Sequence, residues 1–221
     1  NLKLKKILIK SFLKGANISE NLKNKETFFH IKINEKNSKI FYFENNSLKF
    51  EQNFKFGTNI IINDISKVTS LKTNTVKLIL DKIELRNDIS ENELIKKELF
   101  VNDAFRKIKQ KLIYNIAQAR IKEIIELVLS KNINFSHFNK GFNDVFFEID
   151  PKLQLKNLEE TFKSIFSMYR NYDFIIIDTL TSESLINTAN KLVHFGWKNE
   201  AIPILQSKKS LIAKFFHAIF E

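Results

Sequence analysis

Cysteine is missing from this chain altogether, and proline (two) and glycine (four) are scarce among its 221 residues. Without cysteine there is no disulfide framework and no thiol nucleophile. A zinc site would have to be built on His30, His137, His194 and His217, which stand alone with no metal-ligand spacing. The glycines Gly15, Gly57, Gly141 and Gly196 are scattered singly, so no glycine-rich phosphate loop can be assembled from them. The stretch Phe174-Ile175-Ile176-Ile177-Asp178 has the outline of a Walker B strand, but it has no such loop to work with, and Asp178 is read as a strand end or turn. No nucleophile-elbow pattern occurs. No apolar run approaches the ~20 residues that span a bilayer. Nor is there a signal peptide, a repeat or a low-complexity linker, and the lack of cysteine fits a cytosolic protein. The first residue is Asn rather than Met, so a fragment or a processed product is expected.

What is abundant is lysine, asparagine, isoleucine and phenylalanine, all served by AT-rich codons. A hydrophobic fraction of 43% with 28% charged residues describes a globular chain long enough for one large domain or two small ones. The formal net charge of +11 could draw nucleic acid or an anionic membrane. However, the lysines are dispersed along the chain and the 22 phenylalanines fall mostly at core-periodic positions. A solvated basic surface is the reading, and no nucleic-acid partner is expected.

Along the chain, 4–12 and 28–33 read as strands. Segments 39–43 and 47–53 flank Glu44-Asn45-Asn46 as a hairpin, since Asn tolerates left-handed backbone. After Gly57 come Ile60-Ile61-Ile62 and the cap-like Asn63-Asp64, where a helix is expected to start. Thr73 is placed to cap a helix over 74–82. Ser90-Glu91-Asn92-Glu93 has capping-box spacing, with 94–101 open to helix or strand. Apolar residues at three- and four-residue steps make 104–131 the clearest helical stretch, with room for a break near Asn115. Then follow a strand at 144–149 closed by Asp150-Pro151, a helix at 155–166, a strand at 173–177 and a helix at 184–195. Strands early and alternating helices and strands later predict an α/β fold with a mixed sheet.

The last dozen residues, Ser210 to Glu221, carry Leu211, Ile212, Phe215, Phe216, Ile219 and Phe220 on one helical face. Lys214 lies opposite, and Lys208 and Lys209 lie upstream. By itself this amphipathic pattern suits either a terminal helix on the protein's own core or an in-plane membrane anchor.

Taken together, these motifs resemble FtsA, the actin-like bacterial protein that anchors the FtsZ division ring to the membrane. The match covers roughly the second half of an FtsA and nearly all of this chain. It is carried by the hairpin at 40–50 and by Phe56-Gly57-Thr58-Asn59-Ile60-Ile61-Ile62-Asn63-Asp64-Ile65-Ser66, similar to a Gly-Gly-Asn-x-x-Thr-x-Asp-Ile segment. Ile116-Ala117-Gln118-Ala119-Arg120-Ile121-Lys122-Glu123-Ile124 resembles the long Ala-Arg-x-x-Glu-Ile helix, and Leu192-Val193-His194-Phe195-Gly196 a Gly-Leu-Leu-x-x-Gly stretch. A linker and an amphipathic helix close the chain in the same order.

The resemblance implies an actin-like (ribonuclease H-like) subdomain 2A over 1–70, an inserted subdomain 2B over 71–118, the return of 2A over 119–205, and a linker end with an anchor helix over 206–221. Subdomains 1A and 1C would be missing. The family's phosphate loop, Asp-Ile-Gly-Gly-Gly-Thr-x-Asp, falls on Lys32-Ile33-Asn34-Glu35-Lys36-Asn37-Ser38-Lys39, where every glycine and both aspartates are replaced. Lys32, Lys36 and Lys39 remain there only as point charges. The adenosine motif falls on Phe146-Phe147-Glu148-Ile149-Asp150-Pro151, also without its glycines, and Thr58 and Ile62 replace a Gly and a Thr. Arg120 and Glu123 are what is left of the ribose side, and three residues apart they also suit a helix-surface pair. ATP binding is therefore expected to be weak or lost, with no catalytic residue, no metal and no enzyme activity.

The resemblance further implies an adaptor on the cytoplasmic face of the bacterial membrane. Its partners would be the C-terminal peptide of FtsZ and anionic lipid, with self-association in the full-length protein. Arg106, Lys107, Lys109 and Lys111 are the candidates for the peptide surface, or else a solvated face. Lys208, Lys209, Leu211, Ile212, Lys214, Phe215, Phe216, Ile219 and Phe220 would bind the membrane. A different class of scaffold, similar to the pilus-assembly protein PilM, would bind a peptide without a lipid anchor.

Overall fold

The β-branched, aromatic run Phe28–Ile33 forms β1, and it is followed by β2 (Ser38–Glu44) and β3 (Ser47–Phe54). Asn45 and Asn46 join β2 to β3 with φ of 50° and 60°, the left-handed turn that their side chains tolerate. With β4 (Asn143–Ile149) and β5 (Tyr172–Ile176) these strands make one sheet of order β3-β2-β1-β4-β5. The hairpin strands pair antiparallel, while β1–β4 and β4–β5 pair parallel. Strand β1 sits in the middle and is buried along nearly its whole length, although Phe29–Ile33 alternates apolar with polar residues, because the second face of the sheet encloses His30 as well.

A computed structural model describes residues 7–22, 25–85, 88–134, 143–150, 158–168 and 172–196. Among them are six α-helices: α1 (Lys10–Asn21), α2 (Asn59–Thr69), α3 (Thr73–Lys82), α4 (Gln110–Val128), α5 (Leu158–Phe166) and α6 (Ser182–Phe195). The chain divides into two compact units, Lys25–Leu180 and the two ends of the sequence. No described helix is long and apolar enough to cross a membrane.

In the larger unit, Phe29, Ile31 and Ile33 of β1 and Val145 and Phe147 of β4 share one hydrophobic cluster with Ile61 and Ile65 of α2, Ile79 of α3, Ile121 of α4 and Phe162 of α5. Each such side chain contributes about 1.5–3 kcal/mol by leaving water. The alternate residues Phe28, His30 and Glu148 point to the other face and are buried as well. There the Phe28 ring lies 4.9 Å from Phe43 and 5.2 Å from Phe146. In the terminal unit α1 packs on α6, and buried Asn17 donates from Nδ2 to Thr188 Oγ1 at 2.9 Å. Thr181 caps α6 by accepting from the Ser184 amide at 3.1 Å, and Gly196 ends it with a φ of 70°.

Several expectations are corrected. The strand expected over 4–12 is not seen in its described part, because α1 begins at Lys10. The alternation at Ile7 and Ile9 finds no ladder, and both side chains are exposed. Helix α2 starts at Asn59 rather than near Asn63-Asp64, because the Ile60-Ile61-Ile62 run forms its first turn, with Ile61 and Ile62 buried. The helix expected over 104–131 is shorter at both ends and runs unbroken through Asn115. Its first part is extended instead: the Ile95 amide donates to the Ile108 carbonyl at 2.9 Å and Gln110 to Glu93 at 2.9 Å, around a single bridge from Leu94 to Lys109. The rest of 94–101 holds only a short 3₁₀ turn at Lys97–Leu99, and Ser90–Glu93 closes a turn rather than starting a helix.

Candidate functional site

The β1–β2 turn, where the phosphate loop was expected, folds onto the start of α2. The Asn34 amide donates to the Asn37 carbonyl at 2.9 Å, and the Asn34 and Asn37 side chains bond at 2.6 Å. The turn's outward carbonyls then accept from the first amides of α2: Thr58 to Asn34 at 3.1 Å and Asn59 to Glu35 at 2.9 Å. The next two amides are satisfied locally, Ile60 by Gly57 at 3.3 Å and Ile61 by Thr58 at 3.0 Å. A helix N-terminus normally offers such amides to an anion; here all four donate to backbone carbonyls. Gly57 is required by the close approach, because a Cβ there would stand 2.2 Å from the Asn34 oxygen. The Ser38 hydroxyl donates to the Phe56 carbonyl at 2.8 Å and fastens the same junction.

The three lysines of this segment go separate ways. Lys32 donates to Glu148 Oε1, Lys39 reaches Glu51 at 2.8 Å, and Lys36 is exposed. Glu148 and His30 are fully buried, with Glu148 Oε2 3.2 Å from His30 Nε2, while His30 stacks on Phe41 at 5.3 Å between ring centroids. In the segment matched to the adenosine motif, Phe146, Phe147 and Glu148 are thus buried side chains of β4. This His30–Glu148–Lys32 cluster was not anticipated. The only sequence signal was a carboxylate inside an aromatic strand, and the partners lie across a parallel ladder more than a hundred residues away.

Arg120 lies on α4 facing α2. Its guanidinium donates to Asp64 and, at 2.6 Å, to Glu123. A shallow depression of about 410 Å³ adjoins it, with Val68, Ile116 and Ala119 as its apolar lining. Arg120 and Glu123 do come together, and Asp64 is the member that sequence spacing did not reveal.

Of the basic candidates, Arg106, Lys107 and Lys109 are exposed on the extended segment, and Lys111 is the second residue of α4, with its ammonium 5.3 Å from the Tyr114 ring centre. Arg106 donates to the carbonyl of Thr69, the last residue of α2, at 3.1 Å. Beside them Asp103 accepts from the Lys72 amide at 3.0 Å and the Thr75 hydroxyl at 2.5 Å, and so caps α3 from outside; Thr73 is the first residue of that helix and not its cap. The Thr75 hydroxyl, helped by the Lys72 amide and the charges of Lys72 and Arg106, holds the Asp103 carboxyl below the usual aspartate value. An open cavity of about 820 Å³, lined by Leu78, Ile89, Leu99, Lys82, Lys96 and Glu98, lies in the same region. Asp178 follows β5 at an exposed position, and no described group of His, Asp and Glu could hold a metal. Lys208, Lys209, Leu211, Ile212, Lys214, Phe215, Phe216, Ile219 and Phe220 lie outside the described residues.

No protein-family model matches the chain, and no curated protein matches it in sequence. Solved structures similar to it include MreB 5 of Spiroplasma citri bound to AMPPNP, at 18% identity over 83% of this chain and 56% of that one, with a TM-score of 0.48. Bacillus thuringiensis ParM with ATP is similar at 18% identity over 76% and 48%, with a TM-score of 0.46. The PilM–PilN type IV pilus biogenesis complex is similar at 8% identity over 85% and 50%, with a TM-score of 0.48. The chain spans about half the length of each of these three. At TM-scores under 0.5 these likenesses carry no argument, and the fold rests on the chain's own sheet and helices, a mixed five-stranded α/β architecture.

Proposed function

We propose that this chain is the non-catalytic, actin-like part of an adaptor that joins an FtsZ filament to the membrane. The observation that carries the non-catalytic half is the start of α2, where all four opening amides donate to backbone carbonyls and Gly57 leaves no gap. An incoming phosphate would have to displace the β1–β2 turn, and the lysines nearby cannot replace those donors, since Lys32 and Lys39 already hold carboxylates. Arg120 is engaged by Asp64 and Glu123, which matches a helix-surface role better than a ribose contact. Calorimetry with magnesium and ATP should give no heat of binding; micromolar affinity would overturn this half.

The adaptor half rests on the resemblance and on the amphipathic pattern at 211–220. A single short helix of that kind binds reversibly, so firm attachment draws on avidity from assembly. Lys208, Lys209 and Lys214 would each add about 1 kcal/mol on anionic lipid. Removing residues 211–221 should release the protein from anionic vesicles, and unchanged co-sedimentation would defeat the anchor. Reversing the charge of Lys107, Lys109 and Lys111 together should abolish binding to an FtsZ C-terminal peptide. Arg106 is left out of that variant because it also closes α2. Peptide capture without vesicle binding would favour the PilM-like scaffold instead.

A further inference from the structure

The turn at 34–37 is bound to the segment 56–59 more tightly than hairpin geometry demands. Two of its carbonyls accept from Thr58 and Asn59, Ser38 bonds the Phe56 carbonyl, and Gly57 permits backbone to lie against backbone. Lys77 of α3 adds a surface contact to Glu35 at 3.4 Å. Helix α2, so held, packs on both α3 and α4.

We infer that this turn is a built-in strap, in which the chain's own carbonyls occupy the anion-accepting end of α2 and tie that helix to the sheet with no ligand required. It rests on the same four amides as the non-catalytic reading and extends that reading to a conformational property. A helix N-terminus left open is completed by water or by an anion, and its position can then depend on what is bound. Here the acceptors are hydrogen-bonding carbonyls of the chain itself, so α2 keeps its position whatever anions the solution contains. Apart from the surface pair of Lys77 with Glu35, the bonds from 56–59 to the turn and from Ser38 to Phe56 end on backbone carbonyls and involve no titratable group.

The test is amide hydrogen exchange read residue by residue by NMR on the whole chain. The Thr58 and Asn59 amides should be protected, and millimolar pyrophosphate at matched ionic strength should change neither their exchange nor their shifts. Exchange as fast as an open turn amide, or a response to pyrophosphate, overturns the strap. In Gly57→Ala the turn must move, so both amides should exchange at least ~10-fold faster while the Ile65 amide keeps its protection. Unchanged exchange in that variant also overturns it. Should Gly57→Ala fail to fold, the pyrophosphate comparison on the unaltered chain still decides. Micromolar ATP binding with these two amides unmoved would defeat the non-catalytic reading and leave the strap standing.

Discussion

The starts of α2 and α3 solve one problem in opposite ways. Neither helix has a side-chain cap of its own: Thr58 and Lys72 stand at the cap positions and make no cap bond from their side chains. At α2 the missing acceptors are neutral carbonyls, held against a glycine at a buried junction. At α3 the acceptor is a half-buried carboxylate, Asp103, about thirty residues further along the chain. A neutral buried cap is rigid and blind to pH, and it leaves no donor for an outside anion. A charged, half-buried cap responds to pH and adds negative charge beside Arg106 and Lys72.

The sharpest way to break this contrast is to crowd the neutral junction. Gly57→Val places a branched side chain where even one carbon would lie 2.2 Å from the Asn34 oxygen. Overpacking plus loss of the turn's bonds should cost about 3 kcal/mol in urea unfolding. A cost near zero would mean that the turn has somewhere else to go, and that α2 does not depend on it.

A local cap gives the reference point. Thr181→Ala removes the hydroxyl that accepts from Ser184 at α6, and should cost about 1 kcal/mol, read from the shift in the urea midpoint. The three caps also differ in how far they could be read from sequence. A Thr three residues ahead of its target amide is a pattern within one window. Asp103 and the 34–35 carbonyls act from far along the chain, where spacing carries no information. For the same reason the β2–β3 hairpin was legible from Asn45 and Asn46, whereas the pairing of Lys32 with Glu148 was not. The alternation at Ile7 and Ile9 looked like a strand but had no sheet edge to join. In the candidate site, Arg120 and Glu123 could be placed together from helical spacing, but Asp64, which completes the cluster, sits on another helix.

Acid sharpens the contrast further. The folded-state pKa of Asp103 is lowered, chiefly by the Thr75 hydroxyl, so its stabilising contribution is present above the ordinary aspartate value of 3.8 and is lost as pH falls through the folded value. Asp103→Asn keeps an acceptor but cannot titrate, so its stability should fall less than that of the unaltered chain on the acid limb, measured by urea midpoints across pH. Glu126, lowered mainly by its bond to Lys131, adds a similar loss that both proteins share. At the α2 junction the same titration should leave the Thr58 and Asn59 amides protected until global unfolding. Early loss of protection there would erase the distinction between the two ends.

The smallest effect is expected from the one charged contact that touches the strap. Glu35 and Lys77 are both about half exposed and sit 3.4 Å apart, so screening and side-chain entropy consume most of their attraction. Glu35→Ala should change the unfolding free energy by less than ~0.5 kcal/mol, and that small difference should shrink further at high salt. The Glu35 carbonyl is untouched by that substitution and should go on accepting from Asn59. If the variant instead freed the Asn59 amide to exchange, the start of α2 would be held by charge like the start of α3, and the carbonyl contacts would follow from the ion pair rather than replace it.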